Sequence, residues 1–179
     1  MATIQQVKEK LNKYDGNQLY VFKKCSNSIV TLKKLEDTIT NEKRRNVVNK
    51  KYAKFRGNKF YVENIFNIVT LEEEKSVKSV YKNSQLTYVM GEIIEEKDYD
   101  TDIHKICSAG IHYFLTIEPA YYLELDRRTF NGDHFVWFDN GQLYQYSQYI
   151  DGKVNGTVRQ WSEYGQLMFD AVFINDICV

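Results

Sequence analysis

The sequence predicts an α+β fold, predominantly antiparallel β, that ends in a pair of β-hairpin repeats. Three observations predict it. Fourteen Tyr and ten Phe among 179 residues, with only five Ala, favour strands over helices. Short segments of alternating apolar and polar residues, separated by turn residues, fill the first 90 positions. Residues 131–178 divide into two related stretches of 24 residues.

The elements follow in order. Thr3 to Lys13 reads as a short amphipathic helix: Ile4, Val7 and Leu11 share a face, Thr3 and Gln6 have capping-box spacing, and Asp15-Gly16 ends it. Gln18–Lys24 and Ser28–Leu35 read as strands joined at Cys25-Ser26-Asn27. Thr38–Asn49 is polar and basic, the composition of an exposed loop. Tyr52–Phe55 and Lys59–Ile68 read as a strand pair around Arg56-Gly57-Asn58, and Glu72-Glu73-Glu74 as a solvated turn. Lys78–Lys82 and Leu86–Met90 complete this half, and Gly91–Asp102 reads as acidic and irregular. Ile111–Leu115 is a strand, and Thr116 is placed to cap a helix to about Leu125, with Pro119 tolerated in its first turn.

The two final stretches are NGDHFVWFDNGQLYQYSQYIDGKV (131–154) and NGTVRQWSEYGQLMFDAVFINDIC (155–178). Seven positions are identical at an offset of 24, among them Gly132/Gly156, Trp137/Trp161, Gly141/Gly165 and Leu143/Leu167. Asn-Gly and Asp-Gly supply the positive-φ residues of tight hairpin turns. A lone hairpin cannot bury its own apolar face, so the pair is expected to lean on the upstream sheet or helix, with Trp and Leu stacking on their counterparts in the neighbouring copy. The domain reading is residues 1–17 as an N-terminal helix, 18–130 as a β-rich α+β domain, and 131–179 as the two repeats.

Trp137, Asn140-Gly141-Gln142-Leu143 and Asp151-Gly152-Lys153-Val154-Asn155-Gly156 resemble the MORN-type repeat of the YwqK-like antitoxin family. The second copy departs from that pattern at Tyr164 and at Asn175-Asp176. Upstream, Ile29-Val30-Thr31-Leu32, Tyr52-Ala53-Lys54-Phe55-Arg56, Tyr88-Val89-Met90-Gly91 and Cys107-Ser-Ala-Gly-Ile-His-Tyr-Phe are similar to an uncharacterised domain. That domain occurs beside pentapeptide repeats in giant-virus, phage and bacterial proteins. The resemblance implies a protein of a large DNA virus and brings no established activity.

Cys25, Cys107 and Cys178 are widely spaced and odd in number, which points to a reducing compartment rather than a disulfide framework. The N-terminus carries charge where a secretory signal needs an apolar core, and no apolar run is long enough for a membrane span. The expected location is cytoplasmic, meaning host cytoplasm or virion if the source is viral. Residues 1–90 hold 18 Lys+Arg against 9 Asp+Glu, whereas 91–179 hold 6 against 15. Opposite halves of this kind suit complementary surfaces within one fold or a head-to-tail contact between subunits.

Chemistry-bearing residues are few. His104, Cys107, His112 and Tyr113 form the candidate functional cluster. A zinc site wants four ligands in paired short spacings and a thiolate–imidazole pair wants an orienting group, and neither spacing is present. The expectation is a packed strand with His112 on one face, Ile111 and Tyr113 on the other, and Cys107 buried. Gly110-Ile111-His112-Tyr113-Phe114 with Ala120-Tyr121 resembles the nicotinamide-holding segment of poly(ADP-ribose) polymerase-type transferases. It lacks their upstream His-Gly strand, their first Tyr and an identifiable catalytic Glu. Lys43, Arg44, Arg45, Lys50, Lys51, Lys54 and Arg56, with Tyr52 and Phe55 interleaved, have the composition of a single-stranded nucleic-acid surface. The leading reading is a non-enzymatic protein-interaction or structural module, without cofactor or metal. Its expected partner is an unidentified protein, with a second copy of the chain or a nucleic acid as alternatives. An NAD-binding ADP-ribosyltransferase-like domain is the alternative of a different class.

Overall fold

The computed structural model describes residues 1–79 and 86–179. Helix α1 spans Ile4–Leu11 and begins as its sequence dictates. The Thr3 N–H donates to Gln6 Oε1 at 2.9 Å and the Gln6 N–H to Thr3 Oγ1 at 3.3 Å, so each satisfies one orphan donor of the first turn. Strands β1 (Tyr20–Cys25) and β2 (Ser28–Lys33) form a hairpin whose turn is Ser26-Asn27. Then come β3 (Lys54–Gly57), β4 (Lys59–Asn67), β5 (Ser76–Lys78), β6 (Thr87–Val89), β7 (Ile93–Glu95) and β8 (Ile111–Phe114). After helix α2 (Ile117–Tyr122), the chain ends in β9 (Gly132–Trp137), β10 (Leu143–Ile150), β11 (Lys153–Trp161), β12 (Leu167–Ile174) and β13 (Ile177–Cys178).

The main sheet has the order β3-β8-β1-β2-β4-β7. This corrects the expected pairing of β3 with β4. β3 pairs with β8, and β4 pairs with β2 and β7. Only Asn58 separates β3 from β4, yet three strands lie between them in the sheet. Neighbouring strands are about 4.8 Å apart, so a flat sheet could not be joined that way and this one must curl back on itself. Asn58 is the corner. Three further expectations change. Gly91–Asp102 contains the short strand β7 and Thr38–Asn49 contains two buried residues, Asn41 and Arg44. Helix α2 stops at Tyr122, where the sequence predicted about Leu125. The predicted strand Lys78–Lys82 runs into residues outside those described.

Alternation along the strands feeds two cores. Val21, Val30, Phe55, Phe60, Val62 and Tyr113 point into the concave side. Phe22, Ile29, Phe66 and Phe114 point the other way, onto Val7 and Leu11 of α1 and Ile117 and Tyr121 of α2. Each such side chain, once fully buried, contributes roughly 1.5–3 kcal/mol, which makes this second core the anchor of both helices.

The second sheet is a meander in the order β13-β12-β11-β10-β9. Its hydrogen bonds repeat with the period of the sequence. Phe138 N–H to Gln142 O (2.9 Å) and Gly141 N–H to Phe138 O (2.8 Å) recur as Ser162 to Gln166 (2.8 Å) and Gly165 to Ser162 (2.9 Å). Gly152 N–H to Phe130 O (3.0 Å) recurs as Asp176 to Val154 (2.9 Å). The two-residue turns match as well: Asp151 and Gly152 have φ of 49° and 77°, Asn175 and Asp176 of 51° and 69°.

Candidate functional site

The loop that carries the predicted cluster is held by one buried cation. Arg56 on β3 is fully buried, and its guanidinium lies 4.9 Å from the centre of the Tyr99 ring. Its Nε donates to Lys105 O at 2.8 Å, Nη1 to the carbonyls of Asp100 and Ala109, and Nη2 to the carbonyl of Asp102. A planar fork of five donors suits this task, because several loop carbonyls converge on one plane. Asp100 completes the knot by accepting from Ser108 Oγ (2.6 Å) and Lys105 Nζ (3.1 Å). These bonds hold its carboxyl well below the usual carboxylate range, the Ser108 hydroxyl first among them.

The loop does not gather the cluster into one site. His104 is exposed, and its N–H donates to Asp102 Oδ1. His112 and Tyr113 sit on opposite faces of β8. His112 Nε2 lies 3.1 Å from Ile106 O, and burial pushes its pKa down to about 4, with Lys23, Lys54 and Arg56 adding to the effect. Tyr113 is fully buried in the concave core and donates its hydroxyl to Glu42 Oε1 at 2.6 Å. Burial raises its pKa well above the ordinary phenol value, and the Glu42 charge adds to that. The buried Tyr113 ring has no open face against which a nicotinamide could stack. Cys107 is exposed, which corrects the expectation that it packs inside. Its Sγ lies 3.7 Å from Lys54 Nζ and 3.6 Å from Asp139 Oδ2. Among the described residues, no group of three or more His, Cys, Asp or Glu is placed to hold a metal ion.

The basic stretch divides in the same way. Arg44 is buried against the Phe55 ring and donates to Lys54 O (3.0 Å), Asp139 O (2.6 Å) and Asn46 Oδ1 (2.8 Å). Lys54 pairs with Asp139 at 2.9 Å. With Arg56 and Arg44 spent on carbonyls, two of the seven expected phosphate contacts are instead structural. Lys43, Arg45, Lys50 and Lys51 remain exposed.

Arg44, Lys54 and Cys107 all meet Asp139 because the first repeat turn docks at this point. The Val48 and Asn49 N–H groups both donate to Asn140 O (2.8 and 3.2 Å), and the Lys54 N–H donates to Asp139 O (3.1 Å). Gly141 has φ of 86°, and a Cβ there would lie 2.0 Å from Asn49 O. Only glycine fits a backbone approach this close. Trp137 stacks on Tyr52 with ring centres 4.8 Å apart and planes 10° apart, so its partner is the main sheet's region and not its repeat counterpart. His134 is buried among Tyr122, Phe130 and Tyr149, and burial, reinforced by Arg127, takes its pKa down to about 4. Two shallow grooves of about 200 and 470 Å³ flank α2, and their Arg127 and Asp133 side chains are already engaged by Tyr149 and Tyr146.

Among the described residues, the second repeat has no backbone dock of this kind. Tyr164 at its turn is 89% exposed, and on β12 and β13 Leu167, Met168, Val172, Ile174 and Ile177 are all about half exposed or more. Soluble monomers seldom expose contiguous apolar patches beyond about 300–600 Å² without a use for them. This surface was missed in the sequence, although a signal for it is present. LYQYSQYI in β10 sets polar residues between its apolar ones, whereas LMFDAVFI in β12 is apolar on both alternations except at Asp170.

No helix among the described residues is long and apolar enough to cross a membrane. No curated protein and no solved structure matches the chain. Residues 9–120, which carry the end of α1, all of the curled sheet and most of α2, match the model of a family of unknown function. The match covers more than half of the chain, and the protein therefore belongs to that family, DUF5758.

Proposed function

We propose that the protein is a non-enzymatic interaction module in which the curled sheet and its helices form a rigid base, the first hairpin is the joint, and the second hairpin is the binding surface. The observation that carries this reading is the two-sided apolar exposure of β12 beside a first hairpin of the same pattern that is docked and half-buried. The base supports it because several side chains that could do chemistry are engaged within the fold. His112 is tied to Ile106, Tyr113 to Glu42, and the Arg56 fork to four carbonyls. In this reading the hairpins are MORN-type, YwqK-like repeats, and the source is a large DNA virus that places the module in host cytoplasm or virion.

The test uses the full chain with Leu167, Phe169 and Val172 each replaced by Ser. Binding to a partner surface should weaken at least about tenfold, on the order of 1.4 kcal/mol, for one or more of the three, with the melting temperature unchanged. Unaltered binding in all three variants would remove the second hairpin from the function. A different surface, Lys43, Arg45, Lys50 and Lys51, is exposed and basic and supports a second reading as a single-stranded nucleic-acid contact. That reading requires an affinity that falls steeply with salt and is lost when the four are neutralised together.

A further inference from the structure

The seam between the hairpin sheet and the base holds a side chain that cannot take a second proton in place. His134 on β9 is 3% exposed and lies among the Tyr122, Phe130 and Tyr149 rings, whose centres are 5.4, 6.0 and 5.9 Å away. The Tyr122 backbone carbonyl takes a hydrogen bond from the ring. Nδ1 is buried with no hydrogen-bond partner among the described residues. Whichever nitrogen holds the proton of the neutral ring, the imidazolium carries an N–H at Nδ1 that meets no acceptor, and a buried charged donor left unpaired is costly. The surrounding charges also oppose protonation. From the segment after α2, Arg127 donates to the Tyr149 hydroxyl at 3.0 Å and sets its guanidinium 5.6 Å from the centre of that ring. Glu124 lines the same groove, and its charge acts on Lys24. Helix α2 presents the Tyr122 ring and β10 the Tyr149 ring, neither of them a carboxylate. On its own strand, Asp133 points to the opposite face, where Tyr146 and Gln148 donate to it.

We propose that His134 is an acid-sensitive latch, whose protonation releases the hairpin sheet from the base while both sheets stay folded. The seam permits this because its contacts belong to neither ladder. Val48 and Asn49 reach Asn140, Lys54 and Arg44 reach Asp139, Trp137 lies on Tyr52, and the Tyr122 ring packs on His134 and Phe135. Each joins β9 or the turn after it to the base, and none is a rung of the main sheet or of the meander. Residues 123–131, which connect α2 to β9, form turns and irregular chain, so the sheets can part without unravelling a helix or strand. A released His134 meets water and regains the ordinary histidine pKa of about 6.5. In place, burial and then Arg127 hold it down to about 4. The released form therefore binds a proton that the docked form excludes: docking is at full strength above about pH 6.5 and weakens as pH falls toward about 4. Between pH 7 and pH 5 the ratio of released to docked chains rises roughly 20-fold. His112 is placed differently, because its ring meets Ile106 O within the base. The latch acts on the joint of the proposed module and does not depend on what the second hairpin binds.

The experiment is hydrogen exchange on the full chain at pH 7 and pH 5, corrected for the intrinsic pH dependence of exchange and read as protection factors. Peptides covering residues 47–55 report the seam, through the Val48, Asn49 and Lys54 N–H groups that donate across it. Peptides covering residues 20–33 report the base, through β1 and β2, and those covering 153–161 report the meander, through β11. From pH 7 to pH 5 the seam should lose roughly 20-fold in protection and stay less protected than base or meander. His134→Gln, neutral whether docked or released, should abolish most of that loss, whereas His112→Gln should leave it. If His134→Gln does not fold, His134→Val serves instead, since Val158 holds the equivalent position of the second repeat. A seam at pH 5 as protected as residues 20–33, a loss that persists without His134, or a loss abolished equally by His112→Gln would each overturn the latch. The second hairpin's binding role is read separately, from the Leu167, Phe169 and Val172 variants, and survives any of these results.

Discussion

The two C-terminal hairpins are built on one sequence pattern and meet opposite fates. Their turns close with the same hydrogen bonds to within 0.1 Å, and their glycines hold nearly the same φ, 86° at Gly141 and 82° at Gly165. Burial divides them. Tyr149 is buried against Phe130, whereas its counterpart Phe173 is partly open, and a Cβ at Gly141 would strike the Asn49 and Ala53 backbone while one at Gly165 would first meet the Gln142 side chain. Local sequence therefore sets the hairpin, and the neighbour it lands on decides whether that hairpin becomes core or surface. The base covers one copy and leaves the next exposed, so a single duplicated motif yields one docked hairpin and one open one.

The largest test of this contrast is a matched pair of alanines. Gly141→Ala drives a Cβ into the Asn49 carbonyl and should cost about 3 kcal/mol or more, because backbone must move and the seam with it. Gly165→Ala meets only a flexible side chain and should cost the left-handed backbone penalty, about 1–2 kcal/mol. Denaturant unfolding of the two variants measures both, and equal costs would break the comparison. Next in size, Tyr149→Ala should destabilise by about 3 kcal/mol and Phe173→Ala by about 1 kcal/mol, read from the same curves.

The third test is titration. His134 in the first repeat stands where Val158 stands in the second. Its folded pKa of about 4, and that of His112, lie below the 6.5 of an unperturbed histidine. Between those values the unfolded chain binds protons that the folded chain excludes. This stability is fully present above about pH 6.5 and is lost as pH falls toward about 4, by up to about 1.4 kcal/mol per pH unit for each histidine. His134→Val should reduce the slope by one proton's worth, as followed by melting temperature against pH. The smallest effect is expected at the turns. Asp139→Ala removes a half-exposed ion pair with Lys54 and should cost under about 1 kcal/mol, while Glu163→Ala at the equivalent position should change little.

Legibility in the sequence followed the range of the interaction. The Thr3–Gln6 capping box, the Ser26-Asn27 turn and the 24-residue period all depend on residues close in the chain, and all were readable from it. The corner at Asn58 was not, because β3 and β4 look like a hairpin until it is known that β8 takes one and β2 the other. Arg44 and Arg56 misled for a different reason. A run of cations reads as a solvated or phosphate-facing surface, and nothing local reveals that loop carbonyls more than 40 residues away converge on the Arg56 fork. Trp137 was expected to stack within the repeat and stacks on Tyr52. The candidate cluster dispersed because alternation along β8 sends His112 and Tyr113 to opposite faces. The β12 surface was legible in principle from its double apolar alternation, a pattern with meaning only once the covered copy is set beside it.

Hydrogen exchange on the full chain, read by mass spectrometry for peptides from each hairpin, tests the central claim most directly. The account expects residues 143–150 to be protected and residues 167–171 to exchange quickly. Equal protection of the two hairpins would contradict it.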